Sequence, residues 1–303
     1  MRRKGKTSAL SAIVVVVLVI AYFFMQDKLP TENSFGENKN DVIESPGSMI
    51  VEFIDVGQAD CALIYTDNAA MLIDGGNNPD GELVAQFIKE QGIDKLDYVI
   101  ATHAHEDHIG GLDVVLDEID VEYIMMPLVE HTSKSYYDLL DAIDNSNAEV
   151  LMPAVGDTYG FDGATWQVVN CHAQDEDNLN ESSIVIRLVH GEVSFLFTGD
   201  AEIVNELDMM VSDCEIESDI LKVGHHGSST SSCEEFIAAV DPELAIISCG
   251  KDNSYGHPHW ETVETLENAG IEMRRTDLEG TIRVISNSNK YVVSSYETNT
   301  DGE

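Results

Sequence analysis

The stretch THAHEDHIGG, which runs from Thr102 to Gly111, is the most informative segment of this sequence. It directly follows the apolar stretch LDYVI (residues 96–100), which predicts a buried strand. Four side chains that can bind a metal fall within six residues: His103, His105, Asp107 and His108. Imidazole and carboxylate suit zinc, and they also suit manganese or iron in mixed sites. Because a loop after a strand can curl, His-x-His can face one ion while Asp-His turns to a second. The alternative, a polar loop with coincidental histidines, fits poorly with only ten histidines in 303 residues.

The N-terminal segment differs in character from the rest of the chain. MRRKGK places four basic side chains ahead of an apolar run from Ala12 to Met25, and no cysteine follows that run directly. We predict a signal anchor over residues 1–25, with its basic side chains on the inner side of the membrane. A cleaved signal peptide and a buried core helix are the alternatives. The polar residues 26–48 predict a flexible linker. The body is therefore expected outside the cell, on a single-pass membrane anchor or secreted if the signal is cleaved.

The net charge of −40 is strongly acidic. Residues 1–28 hold five of the 16 basic residues and one of the 56 acidic ones, which leaves 11 bases and 55 acids, a formal charge of −44, for the body. Nonspecific nucleic-acid binding depends on lysine and arginine that neutralise phosphates. The charge therefore disfavours tight nonspecific binding of nucleic acid and favours a dispersed, soluble body.

Five cysteines are scattered along the chain without a Cys-x-x-Cys pair. This spacing excludes a cysteine-based zinc site. We expect mostly buried thiols, with one disulfide as the alternative in an exported protein.

Strand-like and helix-like stretches alternate from Met49 to Tyr296. MIVEFIDV, ADCALIYT and AMLIDGG predict strands, while ELVAQFIKEQG and WETVETLENAG carry apolar residues at helical spacing. Two such series, each beginning with strands, predict an α/β fold in which two sheets pack face to face with helices outside, a four-layer αββα sandwich. We assign residues 49–296 to this domain and residues 297–303 to an acidic tail.

Six short motifs occur in a fixed order along this domain: FIDVGQADCALI, LIDGG, H-x-H-x-D-H-x-G-G, FLFTGD, LKVGHHGSSTS and NSYGHPH. In these motifs the chain resembles the metallo-β-lactamase superfamily from Met49 to about Tyr296. It is similar, more narrowly, to the extracellular hydrolase domain of ComEC-type DNA-uptake proteins and its stand-alone exported relatives.

The resemblance implies a role for each matching residue. It implies six metal ligands: His103, His105, Asp107, His108, Asp200 and His225. Asp74 would brace the metal loop, and Asp200, which can also cap a helix, would bridge both ions. His226 and His259 would line the pocket, and His257 would hydrogen-bond a phosphate or protonate a leaving group, with a structural role as its alternative.

Three positions depart from the family pattern. The superfamily has another histidine near Leu179 or Asn180, whereas ComEC-type proteins tend to show Asn and Ser there, matching Asn180 and Ser183. His172 is a candidate substitute; otherwise the first ion has fewer protein ligands. Ala59 stands where relatives usually have Gly, and His105 stands where the DNA-uptake proteins often carry Asp.

The function implied by the resemblance is metal-dependent hydrolysis by a metal-activated hydroxide, which Asp107 or Asp200 can orient. One or two divalent ions are expected, zinc first and manganese as the alternative. The expected substrate is a small or surface-linked phosphodiester, in DNA, a nucleotide or a cell-surface polymer. An acyl or lactam hydrolase and a noncatalytic surface-binding domain are the alternatives, because one fold hosts many chemistries.

Overall fold

The computed structural model of the protein describes residues 47–171 and 178–297. The predicted signal anchor, most of the predicted linker, His172 and all of the acidic tail except Glu297 lie outside the described residues. Within the two described ranges, none of the helices has both the length and the apolar character that a membrane span requires.

The first sheet has eight strands in the order β15-β14-β1-β2-β3-β4-β5-β6. Their bounds are β1 Met49–Phe53, β2 Ala62–Tyr65, β3 Ala70–Ile73, β4 Lys95–Ile100, β5 Asp120–Met125, β6 Glu149–Leu151, β14 Thr281–Ser286 and β15 Tyr291–Tyr296. From β15 to β3 the pairs are antiparallel, and from β3 to β6 they are parallel.

The second sheet has seven strands in the order β13-β12-β11-β10-β9-β8-β7. Their bounds are β7 Thr158–Phe161, β8 Ala164–Asn170, β9 Val185–His190, β10 Val193–Phe197, β11 Ile220–Lys222, β12 Leu244–Ile247 and β13 Glu272–Arg275. The pairs from β7 to β10 are antiparallel, and those from β10 to β13 are parallel. Both sheets are therefore mixed.

Eight α-helices lie within the described ranges: α1 Gly81–Glu90, α2 Glu106–Ile109, α3 Leu112–Glu118, α4 Lys134–Asn145, α5 Ile203–Val211, α6 Glu234–Val240, α7 Trp260–Ala269 and α8 Thr276–Glu279. In α1 the buried residues Val84, Phe87 and Ile88 recur at three- and four-residue spacing, which gives the helix one apolar face. Three short 3₁₀ helices, Asn78–Asp80, Leu179–Ser182 and Gly224–Gly227, join the larger elements.

Three buried apolar clusters separate four layers. The central cluster joins the two sheets and includes Phe53 of β1 and Phe197 of β10, whose rings stack with centroids 5.8 Å apart. A second cluster packs α1, α3 and α4 against the first sheet. A third packs α5, α6 and α7 against the second sheet. This helix–sheet–sheet–helix order matches the predicted α/β sandwich.

Two details differ from the sequence prediction. The short strand β7 was not predicted, because TYGF is brief, contains glycine and pairs only with β8 at the edge of its sheet. All five cysteines have free thiols, so the alternative of a disulfide is wrong for this structure.

Candidate metal centre

The candidate centre lies where strands of both sheets end. Asp74 follows β3, the THAHEDH loop follows β4, Asp200 follows β10, and the His225–His226 pair follows β11. β3 runs parallel to β4, and β10 runs parallel to β11. Because parallel strands end at the same edge of a sheet, each sheet delivers its polar loops to one edge, where open α/β sheets commonly bind ligands.

Asp74 holds the metal loop in place. Its backbone has a φ of 58°, a conformation that non-glycine residues seldom adopt. Its two carboxylate oxygens accept hydrogen bonds from the backbone N–H and the hydroxyl of Thr102, both at 2.8 Å. Oδ2 also accepts a hydrogen bond from Nδ1 of His108 at 2.7 Å. Since the proton on Nδ1 is engaged with Asp74, Nε2 of His108 is directed into the centre. The bracing role implied for Asp74 agrees with these contacts.

Asp200 presents its two oxygens to different partners. Oδ1 lies 3.2 Å from Nε2 of His108 and 3.7 Å from Nε2 of His226. Oδ2 lies 3.8 Å from Nε2 of His103 and 3.8 Å from Nε2 of His225. The backbone N–H of Asp200 donates to the hydroxyl of Ser183 at 3.1 Å, which holds the backbone of Asp200 in place. Asp200 would therefore be able to contribute one oxygen to each of two metal sites.

Several buried atoms around Asp200 form no hydrogen bond among the described residues; they include Nε2 of His108, Oδ1 of Asp200 itself and Nε2 of His226. Each unsatisfied buried polar group costs about 1–3 kcal/mol, so such a group calls for a partner. Nearby charge favours a cation there. Burial would lower the pKa of His108, but the carboxylates of Asp200 and Asp74 hold that pKa well above its usual range. The field that attracts a proton to Nε2 equally attracts a metal ion.

Four groups of ligand atoms among the described residues have the compactness that a metal site needs, and two of them do not contain Asp60. His103, His108 and Asp200 offer atoms within 4.8 Å of one another, and so do Asp107, His108 and His226. The residues present therefore fit divalent metal ions, and the donor set of nitrogen and carboxylate oxygen is one that zinc or manganese accepts.

The positions of His225 and His226 differ from the sequence-based expectation that His225 is the metal ligand and His226 a pocket residue. Nε2 of the buried His226 lies 3.3 Å from Oδ2 of Asp107, and its Nδ1 lies 3.0 Å from the carbonyl oxygen of Ser248. The side chain of His225 is 22% exposed, and its Nδ1 lies 3.0 Å from the hydroxyl of Thr230. His226 therefore joins the compact group with Asp107, and His225 borders Asp200 from the other side. Both residues have φ near 50°, a backbone conformation that non-glycine residues seldom adopt, and their ring centroids lie 6.3 Å apart.

His105 is half-buried and lies against His103, with its Nδ1 2.9 Å from Nε2 of that residue. It belongs to none of the four compact groups found among the described residues. His105 thus stands at the rim of the group formed by His103, His108 and Asp200.

Asn180 is one of the two residues, with Leu179, near which the superfamily pattern is expected to place a further histidine. It lies on the 3₁₀ helix after the gap in the described chain, and it is buried. Its Nδ2 donates to Oε1 of Glu202 at 3.2 Å and lies 3.4 Å from each ring nitrogen of His225. Its Oδ1 forms no hydrogen bond. Asn180 thus keeps one free buried acceptor atom beside His225.

A buried ion pair joins Lys222 and Asp60, and it was not predicted from the sequence. Nζ of Lys222 lies 2.8 Å from Oδ2 of Asp60, whose Oδ1 lies 3.4 Å from Nδ1 of His226. Although burial would raise it, Lys222 and His226 hold the pKa of Asp60 at about 2. Asp60 also lies near His226 and Asp200, but the ammonium group beside it would repel a metal ion. The available signal was a lysine inside the apolar strand ILKVG, which is rare without a buried partner.

His257 lies at the mouth of the centre as a neutral hydrogen-bond donor. Oε1 of Gln58 accepts a hydrogen bond from the backbone N–H of Gly250 at 3.0 Å. The side-chain amide nitrogen of Gln58 therefore faces Nδ1 of His257 at 3.3 Å and donates to it. The proton of His257 must then reside on Nε2. Burial and the neighbouring histidines lower the pKa of His257 to about 4, which keeps the ring neutral.

His259 has a structural environment rather than a pocket one. Its Nδ1 accepts the backbone N–H of Ser229 at 2.9 Å, and its Nε2 lies 3.2 Å from the carbonyl oxygen of Tyr255. Both ring nitrogens are therefore used in holding the loop that carries His257.

Comparison with known proteins identifies relatives that share most of this domain. The chain is 33% identical to ComE operon protein 3 of Bacillus subtilis over 77% of its length, which corresponds to 32% of that protein. It is 31% identical to Recombination protein 2 of Haemophilus influenzae over 77% of its length and 28% of that protein. The matching region thus spans about a third of each relative.

A solved structure with the same fold is CmlA, a diiron β-hydroxylase from Streptomyces venezuelae. It superposes with a TM-score of 0.52 at 16% identity, over 80% of this chain and 54% of that one. This likeness concerns the fold alone. The sequence model of the metallo-beta-lactamase superfamily matches residues 54–251, the stretch that contains β2 to β12 and every ligand candidate described above. On this match, and with the predicted motifs gathered around Asp200, the chain belongs to the metallo-β-lactamase superfamily.

Proposed function

We propose that this protein is a metal-dependent hydrolase of phosphodiester bonds. The observation that carries the proposal is the buried cluster of unpartnered ligand atoms around Asp200, whose two oxygens face two groups of histidines. Two ions at such a carboxylate suit the in-line displacement of a phosphoryl group, because both attacking and leaving oxygens need stabilisation. When bound, divalent ions supply Lewis acidity and activate water near neutral pH.

The chain's own residues would orient and stabilise the reacting groups. Asp200, fixed by Ser183, and Asp107, which lies beside His226, hold the charged centre in one geometry. Burial would raise the pKa of Asp107, but His226 and His108 lower it, so this carboxylate stays ionised. The N–H that His257 carries on Nε2 can donate to a phosphoryl oxygen without first being protonated. A preorganised donor of this kind stabilises developing charge.

The substrate class is supported by the relatives. Recombination protein 2 is named for a process that acts on DNA, and the chain is 31% identical to it. The basic residues at the N-terminus and the apolar run after them further support an exported, membrane-anchored enzyme. Substrates would then be phosphodiesters met outside the cell: DNA, nucleotides or surface-linked esters.

A metal-by-substrate screen of the full chain tests the proposal. Phosphodiester, phosphomonoester, β-lactam and thioester probes are each assayed with zinc or manganese, and again after chelation. Phosphodiester cleavage should require the ion, and Asp200→Asn should lower kcat/KM at least about 100-fold. Asp67→Asn, a change at an exposed carboxylate, is the matched control. Metal-dependent turnover confined to the lactam or thioester probe would replace this proposal by an acyl hydrolase.

A further inference from the structure

Three aromatic rings form a row from the buried centre to the surface. The ring of His257 lies over that of His226 with centroids 6.1 Å apart and planes 23° apart. The ring of Tyr255 lies over that of His257 with centroids 5.6 Å apart and planes 21° apart. His226 is buried, whereas Tyr255 is 66% exposed. The row thus begins at a metal-ligand candidate and ends in an aromatic side chain that is largely open to solvent.

The backbone around Tyr255 is held on both sides. Its N–H donates to Oδ1 of Asn253 at 3.1 Å, and the N–H of His257 donates to the same oxygen at 3.0 Å. The carbonyl oxygen of Tyr255 lies 3.2 Å from Nε2 of His259. A ring on such a backbone loses little freedom when a ligand packs on it, which is how rigid aromatic side chains gain binding energy at low cost.

The charges near the mouth leave little alternative means of holding a nucleotide. The loop of residues 248–259 contains one lysine, Lys251, and no arginine. Arg274 is paired with Glu272 and Glu279, and Arg275 is paired with Asp277. Since the body has a formal charge of −44, ion pairs between free basic side chains and phosphates contribute little to the affinity for a nucleotide. Stacking of a base on an aromatic ring needs no such charge.

We infer that Tyr255 is a stacking platform for an unpaired nucleobase next to the scissile phosphodiester. The inference rests on the proposed function and narrows it, because it selects nucleotides and single-stranded nucleic acid over alkyl or other surface-linked phosphodiesters. A base inside a duplex is already stacked on both faces, so only an unpaired base can extend the row.

The experiment compares a dinucleoside phosphate with its abasic counterpart, both assayed on the full chain with manganese or zinc. The readout is the ratio of kcat/KM for the two substrates, which cancels effects common to both. The wild type should prefer the substrate that carries the base, and Tyr255→Ala should lower the ratio about 5- to 150-fold. Tyr255→Trp keeps an aromatic face and should preserve the preference.

Tyr137→Ala is the matched control, because Tyr137 is another exposed tyrosine, 53% exposed, and its ring lies against that of Tyr136. An equal ratio in the wild type and Tyr255→Ala, with both substrates cleaved, would overturn the stacking role and leave the phosphodiesterase proposal standing. If the wild type cleaves neither substrate, both the stacking role and the phosphodiesterase proposal are overturned.

Discussion

The neighbouring residues His225 and His226 have different surroundings, and this difference predicts different effects on metal binding. His226 directs an unpartnered nitrogen at Asp107 and Asp200, while His225 shares its Nδ1 with Thr230. His226→Ala should weaken binding of one ion at least about tenfold, as loss of a ligand removes more than loss of an outer partner. His225→Ala should change the affinity less. Isothermal titration calorimetry with zinc measures the affinity of each variant. A larger loss of affinity in His225→Ala than in His226→Ala would instead identify His225 as the ligand.

Gln58 determines which nitrogen of His257 carries the proton. Replacing it by glutamate leaves an acceptor for the N–H of Gly250 and turns the second atom from a donor into an acceptor. A carboxylate beside Nδ1 favours a proton there, so Gln58→Glu should raise the pKa of His257 above its value of about 4. In the wild type, charge on His257 is lost well below neutral pH, so its titration should not shape the activity between pH 6 and 8.

Nitrogen-15 spectra of labelled protein read the tautomer directly, and they do so without turnover. The wild type should show the proton on Nε2 of His257, and Gln58→Glu should show it on Nδ1 or on both nitrogens. A proton on Nδ1 in the wild type would contradict the donor role of this residue.

At the level of elements, strand β11 can bury Lys222 because the loop between β1 and β2 provides the carboxylate of Asp60 as its partner. Removing one partner of a buried ion pair leaves the other charge uncompensated and costs about 3–5 kcal/mol. Lys222→Met should therefore lower the free energy of unfolding by about that amount, measured in denaturant with the metal chelated. Lys89→Met removes the exposed pair with Glu118 and should cost about 0–1 kcal/mol. Equal losses in the two variants would contradict the buried pair.

The double variant Lys222→Met/Asp60→Asn separates the charge from the packing. Because both charges are gone, it should recover part of the stability that Lys222→Met loses. Additive losses would show that Lys222 acts mainly through its apolar stem.

The fold followed from the sequence because strands such as LDYVI and helices such as α1 carry their apolar periodicity in consecutive residues. The ligand loop was equally local, since His103 to His108 share one segment. The partners that position those ligands come from distant segments: Asp60 precedes β2, and Lys222 ends β11. Periodicity predicts the strands but not which side chain faces which, so the ion pair and the separate roles of His225 and His226 required the structure.

At the scale of the whole molecule, charge and the proposed substrate oppose each other. A body of formal charge −44 repels a polyanion, and this repulsion acts over about one Debye length, roughly 8–10 Å at moderate salt. Small phosphodiesters should therefore be cleaved readily with the ion present, and long DNA should be cleaved poorly at low salt. Added salt should raise the rate on DNA, measured as initial rate against ionic strength. A rate that falls as salt rises would reveal a basic track on the surface.

The N-terminal pattern makes a prediction about location. If residues 1–25 anchor the chain with its body outside, the full-length protein should sediment with membranes, and protease added to intact cells should remove the body. A body shortened near residue 25 and released into the medium would instead indicate a cleaved signal.

The most direct test of the account is an anomalous-scattering crystal structure of the protein soaked in zinc or manganese. A metal peak is expected among Nε2 of His108, Oδ1 of Asp200 and Nε2 of His226, with Asp107 beside it, since these buried atoms have no other hydrogen-bond partner among the described residues. A second peak beside His103 and Oδ2 of Asp200 is expected at higher metal concentration. A fully soaked crystal without a peak at the first position would contradict the metal centre and, with it, the proposed hydrolase.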